Sequence, residues 1–339
     1  MFYLCCFLFL LSSLFGTEKR IFGYGDVVLD FLAHVEDAFI DTVSARKGTC
    51  TPCSADHFEH VMGSLIVPYT KVPGGAAFNT IRLLALLGEK TAFGKAIGED
   101  AASLEIGAYM DRLQIERRGA PSPERGVLKA LCMITPDAER SFLATLTGSE
   151  ETNPTMTETD WEECRWLHVD IWGLHRENWN LEGILQTAKD HHIPISMSLS
   201  SPQHVEGARA KLIHLISHYV DILFSNEDEA FALIGSSGEE ACQALQKMCP
   251  LAIVTLGPRG CLIGSQKGLL HLPAFPVTAI DTTGAGDLFA GGFLYGYLRG
   301  LPLDRCARIG NFVASEIVQI VGAEPTEEGL ARIRAFIHE

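Results

Sequence analysis

Basic residues are scarce in this 339-residue chain: 27 lysines and arginines stand against 42 aspartates and glutamates, a net charge of −15 with histidine neutral. So acidic a chain repels phosphate backbones and anionic lipid, which excludes general nucleic-acid and membrane-surface binding. A small anion cradled by backbone N–H groups is still allowed. Charged residues make up only 20% and hydrophobic residues 47%, so the chain is not disordered. Ten cysteines are too few and too scattered for a disulfide framework. Internal repeats, low-complexity tracts and long linkers are missing. So is G-x-x-x-x-G-K-[ST], which excludes a P-loop enzyme. Gly23-Tyr24-Gly25 supplies two glycines of a dinucleotide fingerprint, but Val28 stands where the third is needed and strand-like residues follow. The HREN stretch at 175–178 lacks the aspartate of a protein-kinase catalytic loop, and no D-F-G follows.

The apolar run MFYLCCFLFLLSSLFG opens the chain without the basic start or small-residue cleavage site of a signal peptide, and it is slightly short for a membrane span. An export signal, a weak anchor and an extension from an early start codon all remain. Residues 1–18 are therefore set apart from a folded unit spanning 19–339. Cys50, Cys53, His57 and His60 place four potential zinc ligands within eleven residues. Zinc sites usually separate their ligand pairs by a dozen residues or more, and Ser54 can cap a short helix carrying both histidines, which favours a solvated loop and helix.

From Lys19 onward strands alternate with helices, the pattern of a parallel sheet covered on both faces. Segments near 30–45 and 127–146 interrupt it. VLKALCMITPDAERSFLATL is two apolar runs about a polar turn, a hairpin that does not sit easily inside such a sheet. The expectation is an α/β domain with a central, mostly parallel sheet and a small β-lid.

The chemistry concentrates in DTTGAGD, residues 281–287. Gly284, Ala285 and Gly286 let the backbone turn tightly, and the helix that follows aims its N–H groups into the turn, which suits a developing anion. Asp287 at the helix start is placed to act as a general base. A plain glycine turn with an aspartate cap is the competing reading. Gly291, Gly292 and Gly296 on the same helix suggest close packing rather than chemistry. His168, His175, His191 and His192 flank a strand end or close a helix, with no catalytic partner evident.

With DTTGAGD matched at every position, the sequence resembles the ribokinase-like (PfkB) carbohydrate and nucleoside kinases, in motif order from about Ile21 to about Phe336. The resemblance implies ATP-dependent phosphorylation of a hydroxymethyl group, with Asp287 as base and an anion hole from residues 284–287. It assigns Gly74, Gly75 and Asn79 of KVPGGAAFNT to the substrate side, with Asp30 gripping two neighbouring hydroxyls. It assigns Asn226 and Glu229 of SNEDEA to the magnesium–phosphate region, Glu229 through water. Thr255, Gly257 and Gly260 of VTLGPRGC fall on the ATP phosphates and ribose, and Asn311 on the adenine side. Magnesium is the implied cofactor, and potassium near Asp281 and Thr283 is left open.

NTIR at 79–82, SLSSP at 198–202 and VDILFSNEDEA at 220–230 resemble the adenosine-kinase branch, which favours a nucleoside accepting phosphate on its 5′-hydroxyl. Phe31, Phe142 and Trp172 are candidates to stack a purine. A free sugar remains an alternative, as does a non-catalytic binding paralogue, although intact glycines and Asp287 oppose the latter. Use of intracellular ATP favours the early-start reading of the N-terminal run, and the expectation is a cytoplasmic protein without stable membrane insertion. Either a monomer or a homodimer is compatible with the sequence.

Overall fold

The computed structural model describes residues 19–94, 98–119, 126–137, 139–145, 156–175 and 179–339. The apolar segment 1–18 and residues 176–178 of HREN lie outside the described residues. In chain order the strands are β1 (Arg20–Tyr24), β2 (Val28–His34), β3 (Cys50–Cys53), β4 (Tyr69–Gly74), β5 (Thr91–Phe93), β6 (Ile115–Arg117) and β7 (Leu128–Ile134). They continue as β8 (Arg140–Thr145), β9 (Cys164–Asp170), β10 (Ile195–Ser198), β11 (Ile222–Asn226), β12 (Leu251–Thr255), β13 (Cys261–Ser265) and β14 (Gly268–Leu272).

Nine strands form the central sheet in the order β14-β13-β12-β11-β10-β9-β1-β5-β6. Its pairs are parallel from β6 through β12, and only the β12–β13–β14 edge is antiparallel. Strands buried on both faces read as near-continuous apolar runs, and FGY, WLHV and LAIV do so with little alternation, His168 being the polar exception. One face is covered by helices Ala76–Leu86, Ala285–Tyr297 and Leu303–Ile317, whose Phe78, Leu83, Phe289, Phe293 and Ile309 join one core. The other carries helices Leu181–Asp190, Pro202–Tyr219, Glu227–Ile234 and Gly238–Gln246, through Leu185, Leu212, Leu233 and Leu245. Three helices close the chain, Glu327–His338 being the last.

Small residues on helix Ala285–Tyr297 set how closely it packs. A β-carbon on Gly291 would fall 2.9 Å from Leu83, and one on Gly292 2.9 Å from Val313. His168 is core: it is fully buried, its Nδ1 lies 2.9 Å from Ser196 Oγ, and burial holds its pKa down to about 3.

A separate five-stranded sheet runs β3-β8-β7-β2-β4. In the segment near 30–45, β2 pairs antiparallel with β4, some forty residues on, and parallel with β7. Residues 127–146 do contain an antiparallel pair, β7 with β8. One face carries Leu32, Cys132 and Ile134 with Val72 and Phe142 packed beside them. Leu29, Phe31, Leu131 and Leu143 point to the other face, against Phe58 and Val61 of helix Ala55–Ser64. Phe31 thus stacks edge-on against Phe58 and Tyr69 and is removed from the substrate side.

Cys50 and Cys53 fall on β3, while His57 and His60 follow on the helix capped by Ser54, whose hydroxyl accepts from His57 N at 3.2 Å. Among the described residues no group of three or more His, Cys, Asp or Glu side chains is arranged to hold a metal ion.

Candidate active site

The parallel strands end at one edge of the sheet, where an open α/β sheet usually takes its ligand. Asp170 closes β9, Asn226 closes β11 and Thr255 closes β12 at this edge. The DTTGAGD loop leads into helix Ala285–Tyr297 with Gly284 as its N-cap, in the left-handed region at φ 70°. A β-carbon there would fall 2.4 Å from Ala323 Cβ, so only glycine fits. The corresponding position on Gly286 has nothing within 4 Å among the described residues. That open space lies over the first turn of the helix, whose N–H groups have no partner further up.

Asp287 occupies the third position of the helix. Its Oδ2 accepts from Asn79 Nδ2 at 2.9 Å, and its backbone carbonyl accepts from Thr80 Oγ1 at 2.9 Å. Helix Ala76–Leu86 is therefore tied to Asp287 through both side chain and backbone. Burial pushes the Asp287 carboxyl up to about 8, the Asn79 hydrogen bond lowers it, the charges of Asp170 and Glu229 raise it, and Arg82 lowers it. A carboxyl poised near neutrality is suited to taking a proton from a hydroxyl.

On the small sheet, Asp30 shares a face with Leu32 and, through its cross-strand partner row, with Ala130 and Val72. Burial pushes its carboxyl up to about 7, against the lowering fields of Arg82 and Arg140. Gly74 has to be glycine beside it, because a β-carbon would fall 2.2 Å from Asp30 Oδ2. Gly75, at φ 115°, caps helix Ala76–Leu86, and a β-carbon there would strike Asp26 O at 2.2 Å. Phe142 lies on the same face as Asp30, two strands away, while Trp172 sits at the end of β9 with its ring 4.3 Å from His204.

Asn226 and Glu229 form a reciprocal capping box on helix Glu227–Ile234. Asn226 Oδ1 accepts from Glu229 N at 2.8 Å, and Glu229 Oε2 accepts from Asn226 N at 2.9 Å. Glu229 Oε1 accepts from Asn226 Nδ2 at 3.0 Å. Glu229 is buried, and burial raises its carboxyl to about 7. With both oxygens already accepting N–H groups, Glu229 is better suited to ordering metal-bound water than to binding a metal directly.

Thr255 Oγ1 donates to Ser225 O at 3.4 Å. Gly257 and Gly260 both take positive φ, 57° and 95°. Gly260 is pressed against the β14 end, where a β-carbon would fall 2.0 Å from Leu272 O. Asn311 Nδ2 reaches the same segment, donating to Pro273 O at 3.1 Å and Leu272 O at 3.3 Å. Thr255, Gly257, Gly260 and Asn311 thus gather around one end of the antiparallel edge, apart from Asp30, Gly74, Gly75 and Asn79.

Three residues of the site are given no role by the resemblance. Asp170 accepts from Ala77 N at 3.0 Å and Trp172 N at 3.1 Å. Arg82 is buried behind Asn79. Arg140 of β8 is ion-paired with Asp281, next to the backbone where the resemblance places potassium. A strand-terminal aspartate is a readable signal for Asp170, and i, i+3 spacing from Asn79 is one for Arg82.

Adenosine kinase of Saccharomyces cerevisiae is 26% identical over 333 residues, covering 90% of this chain and 96% of that protein. A cytidine kinase of Thermococcus kodakarensis is 39% identical over 115 residues, which span only 33% of this chain and 41% of that protein. The crystal structure of adenosine kinase from Sinorhizobium meliloti superimposes with a TM-score of 0.85 at 25% identity, covering 94% of this chain and 99% of that one. A probable sugar kinase from Rhizobium etli gives the same TM-score of 0.85 at 26% identity, covering 94% and 98%. The sequence pattern described as pfkB family carbohydrate kinase matches residues 49–328, a span from β3 to the last helix that takes in Asn79, Glu229 and Asp287. This chain belongs to the pfkB family of carbohydrate kinases.

Proposed function

We propose that the protein transfers the γ-phosphoryl group of magnesium-ATP to the 5′-hydroxyl of a nucleoside. The observation that carries the reading is the Asp287 carboxyl, held by Asn79 beside the open space over Gly286 at a helix N-terminus. A hydroxymethyl group in that space would give its proton to Asp287 as the phosphoryl group arrives. The N–H groups of residues 284–287 would stabilise the charge that develops. Asp30 would serve from the small sheet as an acceptor for vicinal hydroxyls, with Phe142 and Leu32 on the same face as an apolar wall for a base. Closure of this sheet over the cleft would keep water from the phosphoryl group.

ATP would lie along Asn226, Thr255, Gly257, Gly260 and Asn311. Glu229 would hold magnesium through water, and the ion would neutralise charge on the phosphates. Similarity over nearly the full length to two adenosine kinases supports the nucleoside. A free sugar is the second reading, supported by the equally good superposition on a probable sugar kinase.

The test is ADP release from magnesium-ATP with adenosine, other nucleosides, ribose, fructose and fructose phosphates, with Asp287→Asn as control. Adenosine-dependent turnover lost in the variant is expected. Turnover with sugars alone would move the substrate assignment, and ligand binding without turnover would leave a non-catalytic binding protein.

A further inference from the structure

Arg82, the last residue of NTIR, is given no role by the resemblance, yet it heads the fully buried side chains by volume, at 0% exposure. Its guanidinium is held by three uncharged oxygens. Nη1 donates to Pro73 O at 2.7 Å, and Nη2 donates to Asn79 Oδ1 at 2.8 Å and to Ala323 O. Nε has no hydrogen-bond partner among the described residues. Burying an arginine on neutral acceptors is costly, and its placement therefore calls for a reason beyond packing.

The three acceptors come from three parts of the site. Pro73 precedes the Gly74-Gly75 turn beside Asp30. Ala323 follows Gly322, whose N–H donates to Asp281 at 2.6 Å, and lies against the α-carbon of Gly284. Asn79 holds Asp287. A primary amide has one accepting and one donating end. If Asn79 were turned over, its oxygen would face a carboxylate and its NH₂ a guanidinium, and both contacts would repel.

Resting on the kinase reading, we propose that Arg82 is a positioning residue for phosphoryl transfer: it fixes the Asn79 amide with its donor toward Asp287 and supplies the buried positive charge that favours ionised Asp287. The groups around Asp287 make that charge matter. Asn79 bonds to it from helix Ala76–Leu86, while Asp170 at the end of β9 and Glu229 on helix Glu227–Ile234 both disfavour its ionisation. Arg82 opposes them, and its field reaches Asp30 as well.

Charge and orientation separate in two variants of the full-length protein. Arg82→Met removes both. Arg82→Lys keeps the charge but cannot fork to three acceptors. Carbon-13 NMR of protein labelled at the aspartate carboxyls, with Asp287→Asn identifying the resonance, follows Asp287 without any turnover.

In the methionine variant the Asp287 midpoint should rise by about one unit, a tenfold change in proton affinity. The acid limb of the pH–rate profile should rise with it. In the lysine variant the midpoint should stay, while kcat falls at least tenfold with little change in the ATP KM. Arg82→Gln, neutral but still a donor, repeats the midpoint test if the methionine variant does not fold. An unmoved midpoint in the neutral variants, or wild-type kcat in the lysine variant, would overturn the proposal. Absence of turnover by the wild-type protein with every acceptor would defeat the kinase reading instead, and the midpoint would still decide the role of Arg82.

Discussion

Arg140, on β8 of the small sheet, is ion-paired with Asp281, the first residue of the loop that forms the helix-end cradle. Both side chains are largely out of solvent, at 15% and 2% exposure. Asp281 also accepts from Thr283 N at 2.9 Å and Gly322 N at 2.6 Å, so one carboxylate joins β8 of the small sheet, the DTTGAGD loop and the turn after helix Leu303–Ile317. Whatever moves the small sheet therefore pulls on the residues that precede Gly284.

Removing one partner of so buried a pair leaves an uncompensated charge, at a cost of about 3 kcal/mol. Arg140→Ala should lower stability by about that amount in urea unfolding. It should also raise the acceptor KM, because Arg140 lowers the Asp30 pKa and helps keep that carboxylate ionised. An unchanged unfolding midpoint would mean that the pair contributes nothing to holding the two sheets together.

Gly284 and Gly286 stand two residues apart and should respond oppositely to the same methyl group. Gly284→Ala meets Ala323 and a left-handed backbone at once, so thermal stability should fall by several degrees. Gly286→Ala meets no atom within 4 Å among the described residues. Its melting temperature should match wild type while kcat falls at least tenfold, since the methyl fills the space assigned to the phosphoryl group. Loss of stability in both variants would argue that the open space is not a substrate position.

The sequence made the local devices legible and left the long-range ones hidden. DTTGAGD, the Gly74-Gly75 pair before Asn79, and Asn226 three residues before Glu229 are each complete within a few residues. Turn geometry and capping alone explain why those residue types stand there. Arg82 and Arg140 are different, because their partners lie 241 and 141 residues away, at Ala323 and Asp281. Inside NTIRLLALLG an arginine resembles any solvated helix residue, and only the folded chain shows it buried. The small sheet was half legible for the same reason. The β7–β8 pair announces itself through the polar TPDAER turn, whereas β2 meets β4 and β7 across stretches with no turn signal between them.

Three raised carboxyls give the site opposed pH dependences for activity and stability. Asp287 stands at about 8, Asp30 and Glu229 each at about 7. A carboxyl whose folded pKa exceeds its unfolded value binds more protons in the folded state. Its stabilising contribution is complete below about pH 4 and is lost as pH rises through the folded value. Activity should move the other way, rising toward pH 8 as Asp287 ionises. Asp287→Asn removes a charge that the fold disfavours. The variant should therefore lose turnover yet melt at a higher temperature than wild type at pH 8, with the two curves converging only below about pH 4. Equal melting temperatures across that range would show that Asp287 is not desolvated in solution.

Glu229 combines a structural role with a proposed metal-facing one, and two substitutions can separate them. Asn226→Ala removes the side-chain half of the capping box, which typically costs about 1 kcal/mol. Glu229→Gln retains a carbonyl oxygen that can accept from Asn226 N, so most of the cap survives, but the negative charge is gone. If Glu229 orders magnesium through water, Glu229→Gln should raise the magnesium concentration for half-maximal rate several-fold at nearly unchanged stability. Asn226→Ala should lower stability, and it should move the magnesium requirement less, because the Glu229 carboxylate stays in place. Urea unfolding together with magnesium titrations of the initial rate measures both. A magnesium curve unaltered in Glu229→Gln would leave the pair with capping alone, and the metal-facing role would have to pass to another acidic residue at this edge, Asp170 being the nearest in kind.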